Sequence, residues 1–228
     1  MVDAVVIGSG PNGLVAANLL ADAGWEVQVL EAASSPGGAV RTGEITAPGF
    51  RNDLFSAFYP LGAVSPVLRA LDLEQWGLRW VHAPLVLAHP TPDGPSVALS
   101  RKIDETAASL DQFASGDGDA WRELYGLWER AGDRLIEALL SPFPPVRPAL
   151  RLGAALGPRL PSLTRIGLQS VRRLVRARFH GEGGALLLGG NAGHADIPME
   201  SPGSGIFGWL MASMGQDVGF PAPAGGAG

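Results

Sequence analysis

The sequence predicts an α/β protein: a doubly wound β-α-β domain, incomplete as it stands, joined to an α+β region. Three observations carry this prediction. Residues 3–31 read as strand, glycine turn, helix and strand; beyond residue 60 the pattern changes to a hairpin and then to helices. The chain, at 228 residues with 46% hydrophobic and 17% charged side chains, is large enough to bury roughly 70% of its unfolded surface. The expected division is residues 1–60 for the start of the β-α-β domain and 61–228 for the second region.

Each element has a local reason. DAVVIG is a compact β-branched strand, PNGLVAANLLADAG is helical with Gly24 placed as its stop, and EVQVLE is the second strand. A loop of small residues, AASSPGGAVRTGE, follows, and PGFRNDLFSAFYPLG gathers Phe50, Phe55, Phe58 and Tyr59. LVLAHP and PSVALS flank a TPDG turn and predict a β-hairpin with Asp93-Gly94 at its tip. Helices then dominate: DETAASLDQFA, and a long helix N-capped by Asp119 with Leu124, Leu127, Trp128, Leu135, Ile136 and Leu139 at helical spacing. SPFPPVRP reads as an extended connector. SLTRIGLQSVRRLVRARFHG reads as one basic amphipathic helix, with Leu163, Ile166, Val171, Leu174 and Val175 on its apolar stripe.

Composition excludes several chemistries. With no cysteine there is no disulfide, thiolate nucleophile or iron–sulfur ligand, so redox work must come from a bound cofactor. The apolar run GIFGWLMASMG is too short to span a bilayer, and MVDAVVIGSG reads as a buried strand, so a cytoplasmic location is expected. The net charge of −5 hides a basic island: residues 145–181 hold eight arginines and no acid. Without interleaved aromatics or a known nucleic-acid signature, that island does not predict nucleic-acid binding. For the helix near residues 163–179, three readings stand: a solvated arginine face, peripheral contact with an anionic membrane, or a partner subunit.

The chemistry concentrates at GSGPNG. In a Rossmann-like unit, Gly8 permits the sharp turn out of the strand, Gly10 lets a pyrophosphate approach, and Gly13 allows close packing of the helix. The helix start at Pro11 and Asn12 then offers backbone N–H groups to phosphate oxygens. Glu31, followed by Ala32, ends the second strand 18 residues after Gly13, where a carboxylate accepts from both ribose hydroxyls and repels a 2′-phosphate, disfavouring NADP. A glycine turn without nucleotide is the alternative.

A second signature, Gly37-Gly38, follows Glu31. The run VVIGSGPNGLVAANLLADAGWEVQVLEAASSPGGAVRT resembles the N-terminus of FAD-dependent oxidoreductases of the phytoene desaturase-like superfamily, which share a fold with amine oxidases. PGFRNDLFSAFYPL, ARFHGEGGALLLGGNAGHADIP and SPGSGIFGWLMASMGQDVGFPAPAGGAG are similar to its phytoene dehydrogenase-related, or pyridine nucleotide-disulfide oxidoreductase domain 2-like, branch. The resemblance implies FAD as cofactor, a substrate domain in the second region, and hydride transfer from a substrate C–H bond. It implies a small apolar substrate and assigns Gly37, Gly38 and Arg41 to the side of the site nearer the flavin. Amine-oxidase-like relatives have an arginine directly after the double glycine; here Ala39 stands there and Arg41 is the nearest cation. In such relatives the VGFPAPAGGAG-like segment lies mid-chain, so this chain resembles an N-terminal portion, to be completed by a C-terminal chain or a second copy. The alternative is a non-catalytic nucleotide-binding or assembly module. The motifs assign no catalytic base.

The other candidates carry less. His194 and Asp196 lack a third metal ligand nearby, so no metal is expected. GDGDA at 116–120 has Trp128 where a calcium loop needs its glutamate, which favours helix capping. Phe55, Phe58, Tyr59, Trp76 and Trp80 read as core or as an apolar channel.

Overall fold

The computed structural model describes residues 1–228. Its contacts divide the chain into two compact units, Met1–His82 with Phe220–Gly228, and Ala83–Gly219. The unit that contains the glycine turn thus runs past residue 60 and takes in residues 220–228.

In the first unit, β1 (Ala4–Ile7) and β2 (Val27–Leu30) pair in parallel, Ala4 opposite Val27 and Ile7 opposite Leu30. The helix α1 (Pro11–Asp22) crosses between them, starting with proline at its first position and ending before Gly24, whose φ of +88° needs glycine. This is the expected β-α-β unit. Two short strands, β3 (Thr42–Gly43) and β4 (Asn52–Asp53), pair antiparallel, and α2 (Pro60–Val64), α3 (Pro66–Ala70) and a 3₁₀ turn at Leu73–Trp76 lead to β5 (Trp80–Val81). Apart from prolines, Ala17 is the unit's sole buried apolar residue. Val5, Ile7, Val29 and Leu30 on the two-stranded sheet are exposed, as are Phe50, Phe55, Phe58 and Trp76. Those aromatics therefore form no core within this chain, because no further strand or helix of the unit covers them.

The second unit holds the dense core. The hairpin β6 (Leu87–His89) and β7 (Val97–Leu99) forms as expected, His89 opposite Val97. Seven helices follow: α4 (Ile103–Asp111), α5 (Asp117–Leu139), α6 (Val146–Leu156), α7 (Leu160–Leu168), α8 (Val171–Arg178), α9 (Gly183–Gly193) and α10 (Ser204–Asp217). Trp121, Trp128 and Trp209 are buried between α5 and α10, and each indole N–H is satisfied: by Gln216 Oε1 at 3.1 Å, Asp217 Oδ2 at 3.0 Å and the Leu124 carbonyl at 2.9 Å. No helix is long and apolar enough to cross a membrane.

Three local expectations are corrected. The basic stretch is two helices: Ser170 is extended (φ −76°, ψ 154°), and its Oγ caps α8 by accepting from the Arg173 N–H at 3.2 Å. The break frees the Gln169 carbonyl to accept from Gly203 and Gly205 at 3.3 and 3.1 Å. The supposed connector turns helical at Val146, since Pro148 falls in the first turn, where its missing N–H costs nothing. Finally, α5 begins at Asp117 after Gly116 (φ +93°), and Asp119 lies inside its first turn, bonded to Arg122 at 2.9 Å. The capping carboxylate is Asp111, which accepts from the Gly116 and Gly118 amides at 3.1 and 2.8 Å. The buried Asp117 instead accepts from the His180 and Gly181 amides at 2.8 and 2.9 Å.

The segment Phe220–Gly228 returns to the first unit, where β8 (Ala222–Pro223) pairs antiparallel with β5, Trp80 opposite Pro223. Tyr59 N–H donates to the Pro221 carbonyl at 2.9 Å, and Ala224 N–H to the Arg79 carbonyl at 2.8 Å.

Candidate functional site

The turn after β1 is built for a close approach. Gly8 adopts φ +93° with no atom within 4 Å of where a Cβ would stand. A Cβ on Gly13 would collide with the Gly8 carbonyl oxygen, so the third glycine serves helix packing. Gly10 is the N-cap of α1 and provides no side-chain bond, and the first turn contains no acid. Pro11 has no N–H, which leaves the amides of Asn12 and Gly13 at a helix N-terminus without a side-chain acceptor. These donors, with the helix dipole behind them, fit an anionic group.

The second glycine pair lies directly on this turn. Gly37 (φ +120°) donates its N–H to the Ser9 carbonyl at 2.9 Å, and a Cβ on Gly38 (φ +58°) would stand 2.9 Å from Gly10 Cα. Two loops nearly thirty residues apart in sequence thus meet backbone to backbone, and the contact needs glycine at position 38, whereas a Cβ on Gly10 would stand at an ordinary 3.8 Å from Gly38 Cα.

Glu31 also turns toward this loop. Its Oε2 accepts from the Ser9 amide at 2.8 Å and the Ser9 hydroxyl at 2.6 Å, and its Oε1 from the Ala33 amide at 2.8 Å. The Ser9 hydroxyl first, then the backbone amides, hold the carboxyl down to about 2, so it is ionised at neutral pH. A carboxylate oxygen accepts about two hydrogen bonds, so the two Ser9 donors fill Oε2, and the Ala32 amide adds a weaker pull on the same carboxylate. Ala32 continues the chain at the surface beside it. Ser9 itself was not singled out by sequence reasoning, because it occupies a variable position of G-x-G-x-x-G; its only signal is a hydroxyl between two glycines on a turn that faces a carboxylate.

Arg41 is half-buried, and its Nε is enclosed without a hydrogen-bond partner. Next to it, Thr42 Oγ1 donates to Asp53 Oδ1 at 2.6 Å, and the segment from residue 220 closes over the pair, with the Ala227 amide on Asp53 and the Gly228 amide on Thr42 at 2.8 and 2.9 Å. Tyr59, Trp80, Leu68, Leu78, Val40 and Pro11 line a mainly apolar cavity of 440 Å³ that Arg69, Asp72 and Glu74 also border. Sequence reasoning placed Tyr59 and Trp80 in one cluster, and their rings are 6.3 Å apart; Thr42 and Asp53 it missed. His194 and Asp196 are exposed in the other unit, and no group of three or more His, Asp or Glu side chains is placed to hold a metal.

These residues fit FAD on three counts. The cradle has no room for a Cβ at Gly13, Gly37 or Gly38, the start of α1 has uncapped donors, and an enclosed guanidinium nitrogen lacks an acceptor.

Comparison with known proteins agrees with this geometry. The NAD(P)-binding Rossmann-like domain family matches residues 6–71. Pyridine nucleotide-disulfide oxidoreductase domain-containing protein 2 of Rattus norvegicus is 30% identical over 207 residues, 79% of this chain and 35% of its own length. Hydroxyneurosporene desaturase of Cereibacter sphaeroides is 29% identical over 177 residues, 70% of this chain and 34% of its own. Wild-type putrescine oxidase, solved with putrescine bound, shares the fold over 98% of this chain and 46% of its own, with a TM-score of 0.57 and 18% identity. The chain therefore spans a third to a half of the length of these proteins.

Proposed function

Because the chain belongs to the phytoene desaturase-like FAD oxidoreductase family, we propose that it forms the nucleotide-binding part of an FAD-dependent dehydrogenase or desaturase-like enzyme. The observation that carries this reading is the contact of Gly38 with Gly10, which stacks the second glycine signature on the phosphate turn. A bound flavin supplies the acceptor for a hydride leaving a substrate C–H bond, with loss of a substrate proton completing the dehydrogenation. The chain's own residues bind and orient. The Asn12 and Gly13 amides beside Gly8 and Gly10 in the turn would hold the pyrophosphate, and the unpartnered Arg41 Nε would offer it a further donor. Glu31 accepts from the adenosine ribose, with Ala32 beside it, while Ser9 keeps its carboxylate oriented and ionised.

The apolar cavity beside Pro11 and Val40 suits a small apolar substrate, since 440 Å³ falls within the roughly 300–1,000 Å³ usual for ligand pockets. A cytoplasmic location goes with this reading. The test is the visible spectrum of the purified chain after incubation with FAD. A bound yellow flavin, bleached by dithionite and restored by air, supports the reading; a folded, colourless protein that leaves FAD in solution overturns it.

One observation favours a second reading, a non-catalytic nucleotide-binding or assembly fragment. Val5, Ile7, Val29 and Leu30 are exposed on an uncovered two-stranded sheet, which a complementing chain or a second copy would cover. Light scattering that finds only a monomer across the micromolar range argues against the second copy.

A further inference from the structure

Of the eight arginines between residues 145 and 181, three are paired with acids from elsewhere: Arg151 with Glu137 at 2.6 Å, Arg172 with Glu200 at 2.6 Å, and Arg178 with Glu123 at 2.9 Å. Arg165 on α7 and Arg173 on α8 make no ion pair, and the two flank one shallow groove of 950 Å³ together with Leu160, Leu168 and Ala177. Leu168 is 72% exposed and Leu160 41%. Neither leucine serves the core, because the opposite faces of these helices already bury Leu163, Ile166, Val171, Leu174 and Val175. The groove has no carboxylate among its lining residues.

A single exposed leucine is ordinary. Two leucines in one groove, flanked by guanidinium groups that no acid neutralises, are what an interfacial amphipathic surface presents: apolar side chains for the headgroup boundary and cations for the phosphates. We propose that the α7–α8 face docks on an anionic lipid bilayer, with Leu160 and Leu168 entering the headgroup boundary and Arg165 and Arg173 meeting lipid phosphates. The chain as a whole carries −5, so an anionic surface repels most of it and selects this acid-free face. A single-stranded nucleic acid fits the groove poorly, because no aromatic side chain lines it for base stacking.

Flotation of the full chain with vesicles tests this, comparing pure phosphatidylcholine with an equimolar mixture of phosphatidylserine and phosphatidylcholine. Binding is expected to the mixed vesicles and to fall as salt rises to about 1 M, where the Debye length shrinks from about 8 Å to about 3 Å. Replacing both arginines by alanine (Arg165→Ala with Arg173→Ala) should lower the partition coefficient roughly 30-fold, at about 1 kcal/mol for each basic side chain near the surface. Leu168→Asn should lower it roughly tenfold while leaving its salt dependence intact. All three side chains are exposed, so circular dichroism and the thermal midpoint should match wild type. Equal flotation with neutral vesicles, wild-type partitioning of the double variant, or capture by a single-stranded oligonucleotide but not by vesicles would each overturn the proposal.

Discussion

Gly38→Ala probes the contact on which the cofactor reading rests, and Gly24→Ala is its control. Both glycines have left-handed backbone, φ +58° and +88°, so alanine at either costs about 1–2 kcal/mol for the conformation alone. They differ in surroundings. At Gly24 the new Cβ meets nothing within 4 Å, whereas at Gly38 it stands 2.9 Å from Gly10 Cα and 3.6 Å from Gly10 N. Both neighbours are backbone, so no side chain can swing aside, and the two loops must separate by several tenths of an ångström. Overpacking of that kind costs about 1–3 kcal/mol more. Because the displaced atoms belong to the phosphate turn, the extra cost should appear as FAD affinity weakened roughly 5- to 150-fold beyond the control. Titration of flavin fluorescence against each variant, with thermal unfolding in parallel, measures both quantities. If Gly38→Ala and Gly24→Ala bind FAD alike, the double glycine does not shape the phosphate site and the assignment fails.

Other expectations follow from the same geometry. Glu31 has its folded value lowered from 4.5 to about 2, so its stabilising bonds are fully present above pH 4.5 and lost as pH falls through about 2; acid titration of Glu31→Gln should lack that loss. Ser9→Ala removes the largest cause of the shift, and NMR titration of Glu31 should find its value moved back toward 4.5. Asp117→Ala takes the buried acceptor from the part-buried His180 and Gly181 amides and should cost about 1–3 kcal/mol in urea unfolding, whereas Asp119→Ala, with an exposed carboxylate, should cost under about 1 kcal/mol. Trp209→Phe strips the donor from the Leu124 carbonyl and should destabilise the second unit by about 1–3 kcal/mol.

What could be read from sequence divides by the range of the interactions. The β-α-β unit was legible because strand, turn, helix and strand succeed one another within 31 residues, each with its own local signal. The hairpin was legible from its turn. The break at Ser170 was hidden because the apolar stripe passes through it unbroken, from Ile166 to Val171 and Leu174, all buried. The start of α5 was misplaced because its cap reaches forward from Asp111, on the preceding helix, where a local rule looks for the cap immediately before the helix. Within the candidate site, Gly37 and Gly38 were visible as a motif, but their contact with Ser9 and Gly10 depends on the path of the intervening loop. The return of Phe220–Gly228 had no local signature at all, since β8 pairs with a strand more than a hundred residues earlier.

That last pairing has a topological consequence. Val81 lies opposite Ala222, so the chain leaves the first unit and re-enters it at one place, and Ala83–Gly219 is a self-contained excursion between two adjacent points. Closing a loop of well over a hundred residues costs about 3 kcal/mol more in chain entropy than closing one of about four. The excursion is contiguous and can collapse as soon as its own residues are made. The first unit is discontinuous, and β5 has no partner until residue 223 exists. During synthesis from the N-terminus, the nucleotide-binding unit is thus begun before the excursion, and its β5 edge waits unpaired until the whole excursion has been made.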